Sequence, residues 1–199
     1  MLRRLLAGIA ASACMVAALG SRAAAQTSTL VFLVRHAEKA AQPAADPLLT
    51  PEGDARARAL AQTLSNAGIT AIITTQYART QRTASPLAEL LHVTPEVVPI
   101  AAGAASNPQA AADNLARHAQ AVADAVRRHA GQAVLVVGHS NTISLVTAAL
   151  GGPKLADLCD GDYDQLFILE LPPSGAPRFV RAHYGAPAVD AGCRAMSSR

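Results

Sequence analysis

Charge is scarce in this chain. Asp, Glu, Lys and Arg make up 16% of its 199 residues, against 51% hydrophobic ones. So little charge beside so much apolar content excludes a disordered chain and predicts a packed core. Much of the apolar content is alanine, so that core rests on relatively few Leu, Val and Ile residues. At this length one domain is expected, because two would each be short of buried surface.

Cysteine is rarer still, with Cys14, Cys159 and Cys193 alone. Their spacing excludes a cysteine-based metal site. The apolar run Leu5 to Gly20 is 16 residues long, short of the roughly 20 that a membrane-spanning helix needs. It follows Arg3-Arg4 and precedes Ser21-Arg22-Ala23-Ala24-Ala25, which has small residues in the A-x-A positions. This pattern predicts a secretory signal at residues 1–25, cleaved near Ala25, and a domain at 26–199 that is periplasmic or secreted. The alternatives are a retained membrane anchor or a lipid on Cys14. Ala11-Ser12-Ala13 before that cysteine is a poor lipidation sequence.

Loss of the leader removes Arg3, Arg4 and Arg22, leaving Lys+Arg equal to Asp+Glu at 14. The apparent basicity was mostly leader. No nucleic-acid partner and no stable membrane span are expected of the mature chain. Cys159 and Cys193 remain, as a disulfide tying the C-terminal tail to the body or as two separate thiols.

The rest of the chain alternates between two kinds of segment. Leu30–Val34 is continuously apolar, as a strand buried on both faces would be. A polar loop at 37–49 leads to Thr50-Pro51, which reads as an N-cap and first helical residue. Ala57, Leu60, Ala61 and Leu64 follow at helical spacing, and Asn66 and Gly68 end that helix. Ile69–Thr74 is a second strand. Arg79–Leu91 is a second helix, with Thr83, Leu87, Leu90 and Leu91 expected on its inner face. Val97-Val98 is a short strand stopped by Pro99.

A small-residue loop at 101–109 precedes a long helix through Leu115, Ala119, Val122 and Val126. Ala133–Val137 is the fourth strand, and a helix begins near Asn141. Leu166–Leu171 and Phe179–His183 flank the turn Pro172-Pro173-Ser174-Gly175. The alternation predicts an α/β single domain of three layers, α/β/α, with a mostly parallel central sheet. In such sheets ligands bind at the carboxyl ends of the strands.

Three of these ends carry reactive residues. The first strand runs into Arg35-His36, the second leads through Tyr77 to Arg79, and the fourth ends in Gly138-His139-Ser140-Asn141. Singly, such a histidine is an ordinary structural residue and such an arginine a surface ion-pair partner. Together at one sheet edge they suit a phosphate. Arginine offers a planar fork of permanent charge, and a neutral imidazole can attack phosphorus and carry the phosphoryl group covalently. Arginines beside His36 disfavour its protonated form.

Leu33-Val34-Arg35-His36-Ala37-Glu38-Lys39 resembles the R-H-G-E signature of the histidine phosphatase (phosphoglycerate mutase-like) superfamily. Leu49-Thr50-Pro51-Glu52-Gly53 is similar to its L-T-x-x-G motif. Thr74-Thr75-Gln76-Tyr77-Ala78-Arg79-Thr80-Gln81-Arg82-Thr83-Ala84 resembles its S-x-x-x-R-x-x-Q-T-A segment, and Val136–Asn141 its second histidine motif. All four occur in the family's order. The resemblance implies a phosphoric monoester hydrolase with His36 as the phosphorylated nucleophile. It implies Arg35, Arg79 and His139 on the phosphoryl group, and Ser140, Asn141 and Glu38 as substrate contacts. It also implies no cofactor and no metal. The partner would be a small phosphorylated substrate or an envelope phosphate group.

The sequence departs from the family in two places. Ala37 stands where glycine is usual. Residues 100–112, where many members supply a leaving-group acid, contain no Asp or Glu. Glu38, Asp46 and Asp113 are the substitutes, and a poor acid restricts turnover to good leaving groups such as acyl phosphates, phosphohistidine or aryl phosphates. Three rival readings remain. A mutase would need covering loops that this short chain lacks. A serine hydrolase built on Gly138-His139-Ser140-Asn141-Thr142 would meet β-branched Thr142 where its elbow needs glycine. A non-catalytic binder of phosphorylated envelope ligands would fit the missing acid but has no use for an attacking imidazole.

Overall fold

Strand β1 (Thr29–Arg35) is buried on both faces, and this places it inside the sheet rather than at an edge. Val31 and Leu33 enter one hydrophobic cluster, whereas Phe32 and Val34 enter the other. The same alternation divides Val134 and Val136 from Leu135 and Val137 in β4 (Ala133–Gly138). A strand apolar at every position therefore has a helical layer over each face. The computed structural model describes residues 27–101 and 107–187. The expected leader at 1–25 lies outside the described residues, as does Cys193.

The sheet has six strands in the order β3-β2-β4-β1-β5-β6. β2 (Ile69–Thr74), β3 (Glu96–Val97), β4 and β1 run parallel, while β5 (Gln165–Leu171) and β6 (Arg178–His183) add two antiparallel pairings. Helices α1 (Pro51–Leu64) and α2 (Ala78–Leu91) cover one face, burying Leu60, Leu64, Ala84 and Leu87. Helices α3 (Pro108–Arg128) and α4 (Ile143–Ala149) cover the other with Val122, Val126, Ile143 and Val146. This is the expected three-layer, mostly parallel architecture. Among the described residues no helix is long and apolar enough to cross a membrane.

Local chemistry sets the boundaries. Thr50 caps α1 by accepting from the Gly53 amide at 3.1 Å, with Pro51 at the first helical position. Asn107 caps α3 by accepting from Ala110 N at 2.9 Å, so that helix takes in the end of the expected small-residue loop. The inner face of α2 is Thr80, Thr83, Ala84, Leu87 and Ala88. Leu90, expected on that face, is 54% exposed, because the helix rests on its alanine and threonine side and turns Leu90 outward. The third strand is two residues long, and the fourth helix starts at Ile143 rather than near Asn141.

Gly53 has a role that spacing alone does not reveal. The first turn of α1 rests on the loop after β1. There Thr50 N donates to Glu38 O at 2.9 Å, and Lys39 bridges Leu49 in antiparallel fashion. A Cβ on Gly53 would lie 2.2 Å from that same Glu38 carbonyl oxygen. The glycine permits close approach of helix to loop. Gly53→Ala is expected to cost about 2–3 kcal/mol, as overpacking at a rigid backbone contact does. A urea midpoint equal to wild type would contradict this.

Candidate functional site

β1 and β4 are parallel neighbours in a register that sets Arg35 beside Gly138. The next residue on each is histidine. The His36 amide donates to Gly138 O at 2.9 Å, continuing the ladder by one bond. The two imidazoles therefore emerge side by side at the carboxyl edge, with ring centroids 5.4 Å apart and planes at 63°. Register alone brings together two residues a hundred positions apart in sequence.

His36 is buried, and its Nδ1 lies 2.8 Å from Ala37 O. A carbonyl only accepts, so Nδ1 carries the proton and the lone pair is on Nε2. Burial, then Arg35, Arg79 and Lys39, lower the His36 pKa to about 3, against the pull of that hydrogen bond. Burial also lowers His139, and the adjacent His36 and Arg79 add to the effect. Both rings are neutral at physiological pH. His139 Nε2 lies 3.1 Å from Thr75 Oγ1, which is 2.9 Å from Thr80 Oγ1. Thr80 in turn donates to Tyr77 O at 2.8 Å.

The arginines complete the group. Arg35 is buried, with one terminal nitrogen donating to Cys159 O at 2.7 Å and Asp160 O at 2.9 Å. Arg79 opens the first turn of α2 and faces Asp46 at 3.6 Å. Burial lowers both guanidinium pKa values from a very high starting point. Each Nε–H is buried with no acceptor among the described residues. Two cationic Nε–H donors without acceptors among the described residues, beside a neutral imidazole lone pair, match the needs of a phosphoryl group.

Ala37 takes the glycine position of the motif without strain. It is buried with Leu49 and Ala57, and its amide donates to Thr83 Oγ1 at 2.9 Å. Thr83 itself donates to Arg79 O at 2.7 Å, so the threonine of the Q-R-T-A segment ties the nucleophile's loop to the arginine's helix. Ser140 and Asn141 follow His139, half-buried, with Ser140 O accepting from Leu158 N at 3.0 Å.

Glu38, expected as a substrate contact, is engaged by Arg56. Its two oxygens accept from Arg56 Nε at 2.8 and 3.0 Å and from a terminal nitrogen at 2.7 Å. Arg56 also donates to the carbonyls of Tyr184 and Ala186. Glu38 is therefore half of a structural ion pair, because the close seat of α1 on the loop brings Arg56 within reach. The other substitute acids also serve as acceptors, Asp46 beside Arg79 and Asp113 on α3. Asp46 takes the Ala78 amide at the start of α2 with both oxygens, and Asp113 accepts from Gln109.

Sequence reasoning missed the segment between α4 and β5. Tyr163 lies there, 4.2 Å from the Arg35 guanidinium and 6.2 Å, ring to ring, from His36. No motif marks it. Cys159, whose carbonyl holds Arg35, is disulfide-bonded. A crevice of about 670 Å³ opens at the opposite, amino end of β1, where Arg127 is the one titratable side chain lining it. Its lining has no nucleophile and no acid–base pair, so the chemistry points to the histidine edge instead. Among the described residues no group of His, Cys, Asp and Glu is arranged to hold a metal ion.

The fold and site together define a phosphoryl-transfer class: an α/β sheet presenting paired histidines and arginines at its carboxyl edge. Residues 31–100 match the histidine phosphatase superfamily (branch 1). Solved structures agree in fold. The protein histidine phosphatase SixA, complexed with tungstate, is 20% identical with a TM-score of 0.53, over 77% of this chain and 96% of its own. A phosphoserine phosphatase from Entamoeba histolytica gives 17% and 0.54, over 80% and 98%. The mycobacterial glucosyl-3-phosphoglycerate phosphatase gives 16% and 0.57, over 80% and 100%. No curated protein matches the chain. Residues 31–100 are thus similar to the histidine phosphatase superfamily, and the fold is shared with these solved phosphatases.

Proposed function

We propose that this protein is an exported phosphatase that works through a phosphohistidine on His36. The observation that carries the reading is the His36 tautomer: Nδ1–H is held by Ala37 O, so Nε2 is a neutral nucleophile beside Arg35 and Arg79. Nε2 attacks phosphorus, a P–N bond forms, and the bond to the leaving group breaks. Water then attacks phosphorus, the P–N bond breaks, and inorganic phosphate leaves with the Nε2 lone pair restored. The Arg35 and Arg79 donors neutralise the equatorial oxygens in both steps. His139 is neutral in the free site with one N–H to donate, and a bound phosphate dianion favours its protonated form, in which both ring nitrogens donate.

The leaving group is the discriminating feature. Glu38 and Asp113 accept hydrogen bonds from Arg56 and Gln109, and Asp46, beside Arg79, is engaged by that cation and by the Ala78 amide, which supports departure without a strong acid. The substrate class is then acyl phosphates, phosphohistidine-type phosphoramidates and aryl phosphates. Those on the outer side of the membrane come from the cell envelope or from nutrient esters. SixA, named for phosphohistidine chemistry and solved with a tetrahedral oxyanion, lends support by its likeness. Export rests on residues 1–25. Two tests follow. Across a series of phosphate esters kcat/KM is expected to fall about tenfold or more per few units of leaving-group pKa, whereas a flat series means an acid is present. N-terminal sequencing of the extracytoplasmic protein is expected to begin near Gln26, and a chain that retains residues 1–25 refutes export. Phosphate binding with no turnover of any ester would favour the non-catalytic binder.

A further inference from the structure

This chain has three tyrosines and no tryptophan. Each tyrosine lies against an arginine: Tyr163 at 4.2 Å from Arg35, Tyr77 at 4.2 Å from Arg79 and Tyr184 at 5.8 Å from Arg56. Two of those arginines are the phosphate donors. Their tyrosines also flank the histidine pair, Tyr77 5.6 Å from His139 and Tyr163 6.2 Å from His36. The four rings thus form a row, Tyr77, His139, His36, Tyr163, with one guanidinium stacked at each end.

Arginine is a flexible side chain, and a phosphate site needs its donors held in place before the ligand arrives. Here each guanidinium is fixed from two directions. An aromatic ring covers its face, and acceptors hold its NH1 end: the Cys159 and Asp160 carbonyls for Arg35, and the Asp46 carboxylate for Arg79. Arg35 NH2 also donates to the Tyr163 hydroxyl at 3.4 Å. The Nε–H edge is buried in both arginines and without an acceptor among the described residues. A guanidinium pinned by its face and one end cannot turn that edge away.

We propose that Tyr77 and Tyr163 are positioning residues whose ring faces hold Arg79 and Arg35 with their Nε–H groups turned toward the phosphoryl oxygens. The attraction is between cation and ring quadrupole, so it depends on the electron density of the ring as well as its shape. Neither tyrosine touches the reacting atoms in this role. The proposal rests on the functional reading only as far as phosphate binding, and it does not require turnover.

The test uses the mature protein and inorganic phosphate. Its Kd is measured for wild type, for Tyr→Phe and Tyr→Leu at positions 77 and 163, and for pentafluorophenylalanine at each. KM for an aryl phosphate is followed in parallel. The phenylalanine variants keep the ring and are expected to bind within about threefold of wild type. The leucine variants are expected to lose about tenfold or more, with KM rising in step. Pentafluorophenylalanine has nearly the same shape with a reversed quadrupole. It is expected to bind phosphate about fivefold or more weakly than phenylalanine, at an unchanged unfolding midpoint.

Equal affinity for the fluorinated and ordinary rings would overturn the proposal, because packing alone would then explain the tyrosines. So would leucine variants that bind as wild type does, or a wild type that does not bind phosphate. Should a leucine variant fail to fold, the pair of isosteric rings still decides. A wild type that binds phosphate but turns over no ester would refute the phosphatase reading and leave the tyrosines to be judged on Kd.

Discussion

Replacing His36 with alanine is expected to lower kcat for an activated aryl phosphate by about 10⁴-fold or more, the scale seen when a covalent nucleophile is removed. The geometry explains why so much depends on one side chain. Of the two imidazoles at this sheet edge, His36 has its Nδ1 held by a carbonyl, leaving Nε2 as the attacking atom. His139 lies 5.4 Å away, but its Nε2 is occupied by Thr75. It cannot substitute without rearranging the threonine chain below it. His139→Ala is therefore expected to cost less, about 10²–10³-fold, as loss of a transition-state donor does. The check is steady-state hydrolysis by both variants, with phosphate Kd measured alongside. A His36→Ala protein within about tenfold of wild type would move the nucleophile elsewhere.

The second large effect is on stability and follows from the same burial. An exposed histidine titrates near 6.5, whereas His36 in the fold titrates near 3 and His139 is also lowered. Between those values the unfolded chain binds protons that the folded chain refuses. The stability is therefore fully present above pH 6.5 and is lost as pH falls toward the folded values. From pH 7 to pH 5 each histidine contributes up to about 2 kcal/mol, so the pair contributes about 2–4 kcal/mol in total. Urea unfolding at the two pH values reads this directly. His36→Asn is expected to remove about 2 kcal/mol of that pH dependence, since the amide does not titrate, while buried His118, also lowered, keeps its own share. A stability unchanged from pH 7 to pH 5 would mean that both rings take up protons freely, which would also deny His36 its neutral lone pair.

Much of this site was legible in the sequence because strands report their own ends. Leu30–Val34 and Ala133–Val137 are apolar at every position, which fixes them inside a sheet, and the residues just after them are Arg35-His36 and Gly138-His139. Parallel neighbours then put both histidines on one edge with no further information. The cap of α1 was equally local, as Thr50 shows, whereas Asn107 falls within the loop expected from the sequence. What the sequence did not disclose depends on which loops touch. The pairing of Glu38 with Arg56 is one such contact, made because Gly53 lets α1 settle on the loop carbonyl. Tyr163 lies in the irregular stretch before β5, where no periodicity constrains it, and only the folded chain brings it under Arg35. Leu90 fits a helical stripe by spacing, yet the adjoining face carries enough small residues to pack closer.

Covalent trapping tests the central claim most directly. The mature protein is mixed with a ³²P-labelled aryl phosphate, quenched in alkali within one turnover, digested and sequenced by mass spectrometry. The expected label is stable to alkali, lost in mild acid, and located on the peptide containing His36, with none in His36→Ala. Label on another residue, or a burst of product with no labelled protein, would contradict a phosphohistidine at His36.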